Sequence, residues 1–291
     1  MSLAYGSEFL NPRPKTHRNE MAQDIMNKDE GQLIHQKIAI PEDAPRVSRS
    51  RLLKQLDENL ASYNATIING RAGTGKTMLA ADFARHAGRA VAWYKVDAAD
   101  SDLRVFYEYL LASIRLQQPS INHSGLMHLL ETEGRDTTSL LAEALVFQLS
   151  ETRDESLLIV IEDLHLVYDA VWIVPFFRRL LPLLPADVHV LITCRSLPPA
   201  PLWRLRSKQM LRVVDEVELT FTLDEATRLF ETYGLAEEHA RIAMDHTNGR
   251  AAAIVNFAET PGRAGRAVAD KFLAVNGTRF RNLIQAEDYQ A

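Results

Sequence analysis

Length, composition and charge set the first limits on this chain. It has 291 residues, of which 46% are hydrophobic and 24% charged, and its formal net charge is -5. These values fit one large α/β domain, or a core domain with a smaller one attached. The mild acidity argues against a surface that binds nucleic acid as a whole, so we do not expect direct DNA binding by this chain.

The cysteine content and the N-terminal sequence indicate a soluble cytoplasmic protein. The single cysteine, Cys194, cannot form an internal disulfide and fits a reducing compartment. No run of about 18 apolar residues is present, so we expect no membrane span. Residues 1–36 are polar, unpatterned and broken by Pro12 and Pro14, without the apolar segment of a signal peptide. We expect a disordered lead or a tag there.

A helix is predicted to begin shortly after this lead. Pro41 and Pro45 suit an extended arm, which passes into a helix that ends near Ser62. Two arginines, Arg49 and Arg51, lie where that helix begins. On the residues alone, we favour a solvated helix start for both.

An eight-residue run, residues 70–77, fits the P-loop pattern of two glycines, a lysine and a hydroxyl residue. Its glycines let backbone N–H groups approach phosphate oxygens, Lys76 suits the β- and γ-phosphates, and the Thr77 hydroxyl suits Mg²⁺. A β-branched strand precedes the run (65–68) and a helical pattern follows it (78–85), as the motif requires. We therefore predict a nucleotide site that includes Gly70, Ala72, Gly73, Thr74, Gly75, Lys76, Thr77 and Met78.

Three aspartates, Asp97, Asp100 and Asp102, follow a second predicted strand over residues 89–96. Three carboxylates in six residues could bind a cation. Such a cluster more commonly caps the next helix, and we favour capping. Further helices are predicted over residues 103–115, 124–132 and 137–150.

A continuous apolar run, residues 157–161, is typical of a central parallel strand that is covered on both faces. It ends in Glu162 and Asp163, at the strand's carboxyl end, where ligands bind in open α/β sheets. One carboxylate there suits Mg²⁺ and the other suits orientation of an attacking water. Ordinary strand-end charges are the alternative, but the preceding P-loop favours a Walker B element.

The next predicted elements are a helix over residues 170–184 and a buried strand over residues 188–193, which ends at Cys194 and Arg195. From the same edge of the sheet Arg195 suits a γ-phosphate, and pairing with a nearby acid is the alternative. A last, alternating edge strand is predicted over residues 211–221.

The pattern changes to helix at Thr222, which forms a capping box with Glu225. Between Gly262 and Asn282, five basic residues stand against one acid. This run suits a nucleic-acid patch or a solvated helix face, and we favour the second. The predicted helices of this part cover residues 223–233, 236–247, 250–259 and 264–275.

The predicted fold class is therefore α/β, a P-loop NTPase three-layer sandwich with a central, mainly parallel sheet, followed by a small all-helical lid domain. The predicted domains are a lead (residues 1–36), a P-loop ATPase domain (37–221) and a helical lid (222–291).

The order of these elements resembles the STAND class of signalling P-loop ATPases, and in detail the ATPase region of MalT-type, LuxR-family transcription activators. Residues 46–53 are similar to that family's lead-in segment, whose arginine lies near the base, and this implies a base-side role for Arg49. The other similar stretches are the tryptophan strand at Ala92-Trp93-Tyr94, the Walker B element over residues 158–165, the sensor element Thr193-Cys194-Arg195 and the start of the helical domain over residues 221–226.

The chain departs from that family in two places and in length. Glu162 stands where the family usually has aspartate, which implies weak hydrolysis. The turn Gly249-Arg250-Ala251 lacks the proline of the family's Gly-x-Pro turn, which leaves the lid's contacts to the base open. Such regulators continue into a sensor and a DNA-binding module, and we expect these in a longer chain or in a partner.

The resemblance implies a nucleotide-operated switch, in which ATP with Mg²⁺ holds the lid against the sheet, slow hydrolysis to ADP resets it, and the ATP state self-associates. In this hypothesis Lys76, Asp163 and Arg195 are the catalytic residues, and Thr77 and Glu162 hold Mg²⁺. A motor or loader ATPase of the AAA-like kind, acting on nucleic acid or protein, is a second hypothesis. A nucleotide-binding scaffold that never hydrolyses its ligand is a third, and Glu162 favours it.

Overall fold

Five parallel strands form one sheet in the residues that the computed structural model describes, 34–131, 137–151 and 156–264. The strands are β1 (Ala65–Asn69), β2 (Ala90–Lys95), β3 (Leu157–Glu162), β4 (Val188–Cys194) and β5 (Leu211–Val214). Their order across the sheet is β2-β3-β4-β1-β5, and every pairing is parallel. Because β4 lies between β1 and β3, the carboxyl ends of these three strands are neighbours at one edge.

Seven α-helices accompany the strands and three more follow β5 in the described residues. The first set is α1 (Ser50–Ser62), α2 (Lys76–His86), α3 (Leu103–Arg115), α4 (His123–Leu129), α5 (Thr137–Glu151), α6 (Ile173–Leu183) and α7 (Ala200–Ser207). The second set is α8 (Leu223–Glu231), α9 (Glu237–Thr247) and α10 (Ala251–Ala264). Short 3-10 helices cover His35–Lys37, Ala98–Ser101 and Leu164–Val167.

Both faces of the sheet are covered by helices, as the apolar strands predict. Successive strand residues point to opposite faces. In β2, Trp93 therefore packs in a cluster with α1 and α2, whereas Tyr94 stacks on α3 at 5.3 Å from the Phe106 ring and 5.7 Å from the Tyr109 ring. These layers confirm the predicted three-layer α/β sandwich.

The helices after β5 have an apolar cluster of their own. Phe230 and Phe257 are fully buried in it, together with small residues such as Ala226 and Ala240 that let the helices approach closely. A capping box begins α8, because Thr222 accepts from the Glu225 N–H and Glu225 accepts from the Thr222 N–H. The described part of the predicted lid is thus all helical.

The aspartates after β2 cap helices, as we favoured over a cation site. Asp97 and Asp102 each accept backbone N–H groups at the start of the following helical segment. Asp100 is fully buried and accepts from Lys37 Nζ at 2.5 and 2.6 Å, so its charge is compensated within the chain. Lys37 also lies 4.3 Å from the centre of the Tyr109 ring.

The predicted strand over residues 211–221 is wrong in its second half. β5 ends at Val214, because the Asp215 carboxylate accepts from the N–H groups of Val217 and Glu218 and turns the chain. The segment that follows, residues 215–222, joins the sheet to α8, and we call it the hinge.

Other differences are smaller. The helix predicted from residue 170 begins at Ile173, and the helix predicted to end at residue 259 continues to Ala264. Three predicted parts lie outside the described residues: the helix over residues 264–275 apart from its first residue, most of the basic run, and the lead apart from its last three residues. The domain boundaries stay predictions.

Candidate functional site

The P-loop joins β1 to α2 with the backbone that its glycines allow. Gly73 and Gly75 have φ angles of 76° and 84°, a region that disfavours other residues. Lys76 begins α2, and its Nζ donates to the carbonyls of Gly70 at 2.6 Å and Arg71 at 2.9 Å. Burial lowers the pKa of Lys76, and the nearby Asp163 charge opposes that shift. The ammonium is therefore held inside the loop, at the edge where the acidic pair lies.

Thr77 and Glu162 meet across the sheet edge. The Thr77 hydroxyl donates to Glu162 Oε1 at 2.5 Å. Burial raises the pKa of Glu162, which the Thr77 hydroxyl and the nearby Trp93 side chain oppose, and its second oxygen is buried without a hydrogen bond of good geometry in the described residues. A buried carboxylate oxygen without a donor is a suitable ligand for a cation, and Mg²⁺ needs only one or two protein ligands beside phosphate oxygens and water. The pair therefore fits Mg²⁺.

Asp163 follows β3, and Arg195 follows β4, the strand that lies between β3 and the P-loop strand β1. Asp163 adopts a left-handed conformation, φ 57°, and its N–H donates to the Thr193 hydroxyl on β4 at 3.0 Å. His165 Nδ1 lies 3.7 Å from Asp163 Oδ1. Arg195 is exposed. Its positive charge lowers the pKa of Lys76, an effect smaller than those of burial and of Asp163. The predicted phosphate, metal and water-orienting residues thus converge on one edge, which we call the phosphate edge.

A second feature is a cavity of about 510 Å³ on the other side of the P-loop, which we call the lid cavity. Its wall is formed by residues 43–47 and Arg49 before α1, by Gly73 and Gly75 of the loop, by Met78 of α2, and by α8, α10 and the hinge. Most of this lining is apolar. Its size and position beside a phosphate loop suit the base and sugar of a nucleotide.

Arg49 lies in the lid cavity, and the solvated helix start favoured for it is wrong. Only 6% of the residue is exposed, because Nη1 donates to the Leu219 carbonyl at 2.6 Å and the guanidinium lies 5.0 Å from the centre of the Phe221 ring. Burial lowers the pKa of Arg49 to about 10, and Glu225 opposes that shift. Arg51 is half exposed, yet it donates to the carbonyls of Glu218 and Thr220. Both arginines therefore attach α1 to the hinge.

The far wall of the lid cavity joins the segment before α1 to the lid. The Arg46 guanidinium lies 4.5 Å from the centre of the Tyr233 ring, and the Tyr233 hydroxyl donates to Glu259 on α10 at 3.2 Å. A guanidinium over an aromatic face contributes about 0.5 to 2 kcal/mol. Arg46 begins the lead-in segment noted in the sequence, but Tyr233 and Glu259 belong to no motif, because this wall is assembled from three separate segments.

The lid also contacts the P-loop directly, through the turn that lacks the family's proline and the first residues of α10. The Ala252 N–H donates to the Gly73 carbonyl at 2.9 Å, and Arg250 Nη2 donates to the Ala72 carbonyl at 2.6 Å. A Cβ at Gly73 would lie 3.1 Å from the Ala252 Cβ, so the two segments are in van der Waals contact. The Asn248-Gly249 pair predicts a helix end here but says nothing about this partner.

Together, the P-loop after β1, the acidic pair after β3, the intervening strand β4 and the parallel sheet define a P-loop ATPase domain. The chain is similar to the HTH-type transcriptional regulator MalT of Serratia proteamaculans, with 33% identity over 187 residues, 64% of this chain and 20% of MalT. It is 31% identical over 217 residues to the serine/threonine-protein kinase PknK of Mycobacterium tuberculosis, 72% of this chain and 19% of PknK. The chain therefore spans about a fifth of the length of these curated relatives. No protein-family model matches it.

Solved structures with a related arrangement include a Walker-type ATPase of Pyrococcus abyssi, with a TM-score of 0.46 and 13% identity over 86% of this chain and 79% of that one. The replication initiator DnaA, bound to AMPPCP and single-stranded DNA, has a TM-score of 0.42 and 15% identity over 80% of this chain and 66% of that one. Because both scores are below 0.5, the fold assignment rests on the strand order and the P-loop geometry.

The described helices differ from membrane-spanning helices. None of those within residues 34–131, 137–151 and 156–264 combines the length and the apolar character that a bilayer crossing requires.

Proposed function

We propose that this chain is a STAND-type, ATP-binding and slowly hydrolysing switch, the nucleotide module of a transcriptional regulator or signalling assembly. The observation that carries the proposal is the docking of the lid on the P-loop beside a complete phosphate edge: Ala252 bonds to Gly73 on one side of the loop, while Thr77 and Glu162 pair on the other. A nucleotide in the loop would therefore lie beside a segment that is bonded to the lid and beside the acidic end of β3.

Each residue of the phosphate edge has a chemical task in this proposal. Lys76 would turn from the loop carbonyls to the β- and γ-phosphates, and Thr77 and Glu162 would hold Mg²⁺, which when bound neutralises phosphate charge. Asp163 would orient the attacking water. Arg195, exposed at the end of β4, would contact the γ-phosphate.

Switching requires that ATP and ADP favour different positions of the lid. A ligand that binds both positions equally shifts nothing, however tightly it binds. The lid can respond to the loop because their contact includes a backbone hydrogen bond and because Gly73 and Gly75 of the loop line the lid cavity. We infer that Arg49 contacts the base side of the nucleotide from the cavity wall.

The similarity to MalT supports a regulatory setting for this module, because MalT is a transcriptional regulator of which the shared region is about a fifth. By this proposal, sensor and DNA-binding modules belong to a longer chain or to a partner. The ATP state would self-associate, the protein would act in the cytoplasm, and this chain would not bind DNA itself.

The test is to denature the purified protein, identify any released nucleotide by chromatography, and then follow ADP formation from ATP and Mg²⁺ by fresh protein. Co-purified ADP with turnover well below about 1 s⁻¹, the lower end of typical enzyme rates, supports the switch. Fast turnover that DNA stimulates at low salt would instead indicate a motor or loader ATPase.

A scaffold that retains nucleotide without hydrolysis is the second candidate, and the Thr77–Glu162 contact of 2.5 Å favours it, since the longer carboxylate already reaches the hydroxyl meant for the cation. Asp163→Ala separates the two functions in single-turnover assays. Slower hydrolysis in the variant supports the switch. An unchanged rate, equal to that of ATP in buffer, supports the scaffold.

A further inference from the structure

Among the arginines of the described lid residues, Arg250 is the one that forms a hydrogen bond with the P-loop. It lies in the turn between α9 and α10, where Asn248 and Gly249 both have positive φ angles of 50° and 75°. From that turn its guanidinium donates to the Ala72 carbonyl at 2.6 Å, and its Nε and Nη2 atoms would lie 3.4 Å from a Cβ at Gly73. The side chain therefore lies along the outside of the loop.

The contact is reinforced by the backbone that follows. Two residues further on, the Ala252 N–H donates to the Gly73 carbonyl at 2.9 Å. Adjacent carbonyls of the P-loop thus accept from one side chain and one backbone group of the same turn. Because the second bond needs α10 to stay in register with the loop, loss of the first is expected to loosen the second.

The charge of Arg250 is also placed close to the loop's own arginine. Arg71 donates to Glu216 of the hinge through its backbone N–H at 3.0 Å and through Nη2 at 2.8 Å. The pKa of Glu216 is lowered chiefly by Arg71, and the Arg250 charge contributes to the same shift. One acid of the hinge therefore lies within electrostatic range of an arginine on the loop and an arginine on the lid.

A neutral carbonyl is a weaker partner for a guanidinium than a phosphate oxygen. The bond to the Ala72 carbonyl has one charged partner, the guanidinium, whereas a bond to phosphate joins two opposite charges, and the planar guanidinium suits two phosphate oxygens at once. The Ala72 contact can therefore hold the lid while no stronger acceptor is near, and it can be exchanged when one arrives.

We propose that Arg250 is a positioning residue that couples the lid to the nucleotide state. It holds α10 on the P-loop through its hydrogen bond to Ala72. The terminal phosphate of ATP changes the strength of this contact, whereas ADP, which lacks that phosphate, does not. This inference rests on the proposed function, since it names the lid residue through which the switch would work. It assigns no chemical step to Arg250.

The first measurement uses nucleotide-free protein and hydrogen exchange at the Ala252 amide, whose bond to Gly73 reports lid contact directly. The variants are Arg250→Ala and Arg250→Lys. The matched control is Arg228→Ala, because Arg228 is a lid arginine whose ion pair in the described residues is the local one with Asp224 on α8. Arg250→Ala should exchange at least about tenfold faster, equivalent to about 1.4 kcal/mol. Arg250→Lys should be intermediate and the control unchanged.

The second measurement compares dissociation constants for ADP and a non-hydrolysable ATP analogue. Coupling between two sites typically amounts to a fivefold or larger effect, so Arg250→Ala should change the ratio of the two constants by roughly fivefold or more, while Arg228→Ala leaves it within about twofold. Unchanged exchange, or faster exchange with an unchanged ratio, would overturn the inference.

The two proposals fail in different ways. Wild-type protein that binds neither nucleotide would overturn the switch, and with it the coupling. Wild-type protein that binds both nucleotides, beside an Arg250→Ala variant that keeps the same ratio, would overturn the coupling alone. Circular dichroism of each variant confirms that the sheet is folded before either result is used.

Discussion

The phosphate edge and the lid cavity share the P-loop but are built in different ways. Residues of the phosphate edge lie at or just beyond strand ends, so short motifs carry them, as with Glu162 at the end of β3 and Arg195 after β4. The lid cavity is assembled from the segment before α1, the loop, the hinge and the lid, which are far apart in the chain. Recognition of phosphate is therefore local in sequence, and recognition of the rest of a ligand is a property of the tertiary structure.

The largest expected effect comes from breaking the phosphate edge with Lys76→Ala. Hydrogen bonds to charged groups contribute about 1.5 to 3 kcal/mol each, so loss of contacts to two phosphates should weaken ATP binding by about a thousandfold. Isothermal titration calorimetry measures this. The control is Lys54→Ala, because Lys54 has 79% of its side chain exposed on α1 and contacts only Glu58 in the ion pairs found there. Equal ATP affinity in Lys76→Ala and wild type would contradict the site.

The sheet that carries the phosphate edge should lose stability in acid because of His189. This side chain bridges β4 to β1: Nδ1 lies 2.8 Å from the Tyr63 carbonyl and Nε2 lies 3.1 Å from the Thr66 hydroxyl. Burial lowers the pKa of His189 from 6.5 to about 4. Below pH 6.5 the unfolded chain binds a proton that the folded chain does not, so the free energy of unfolding falls until about pH 4.

The expected loss is about 3 kcal/mol over that pH range, from 1.36 kcal/mol for each unit between the two pKa values. Urea unfolding at several pH values measures it. His189→Gln retains an amide that can bond to both neighbours but cannot titrate, so its stability should depend less on pH. If wild type and variant lose stability in parallel between pH 6.5 and 4, His189 is not the cause.

Filling the lid cavity should weaken recognition of the base and leave recognition of the phosphates unchanged. Val255 is half-buried on α10 and lines the cavity. Val255→Trp should therefore exclude the base and weaken ATP binding by about tenfold or more. A tenfold loss corresponds to roughly 1.4 kcal/mol of binding free energy. Inorganic tripolyphosphate with Mg²⁺, which lacks a base, should bind as in wild type. The control is Val217→Trp, at a hinge residue that is 79% exposed and outside the cavity lining. Equal weakening for both ligands would show that the cavity and the edge are not separable.

The smallest effect, on the free energy of unfolding, is expected at the surface ion pair that joins the P-loop to the hinge. Glu216→Gln removes the ion pair with Arg71, whose side chain is 60% exposed, and exposed pairs contribute only about 0 to 1 kcal/mol. Thermal unfolding should therefore change little, and the difference should shrink further in high salt. A loss well above 1 kcal/mol would mean that the hinge depends on this pair for its fold.

Much of the fold followed from sequence patterns, because each pattern has a local physical cause. The apolar run over residues 157–161 predicted β3 since a strand covered on both faces has no polar alternation. The helix predicted over residues 103–115 has the predicted bounds, because Asp102 caps it. The predicted continuation of β5 failed, since Asp215 turned the chain through side-chain hydrogen bonds that an alternating pattern does not reveal.

For the candidate site, the sequence by itself determined the residues of the P-loop and of the acidic pair, because glycine conformations, a helix start and a strand end are short-range features. Tertiary structure alone decided that β4 lies between β1 and β3, that Arg49 is buried against the hinge, and that Arg250 reaches Ala72. The physical reason is distance along the chain. Arg250 and Ala72 are 178 residues apart, and only the packing of the lid on the loop brings them together.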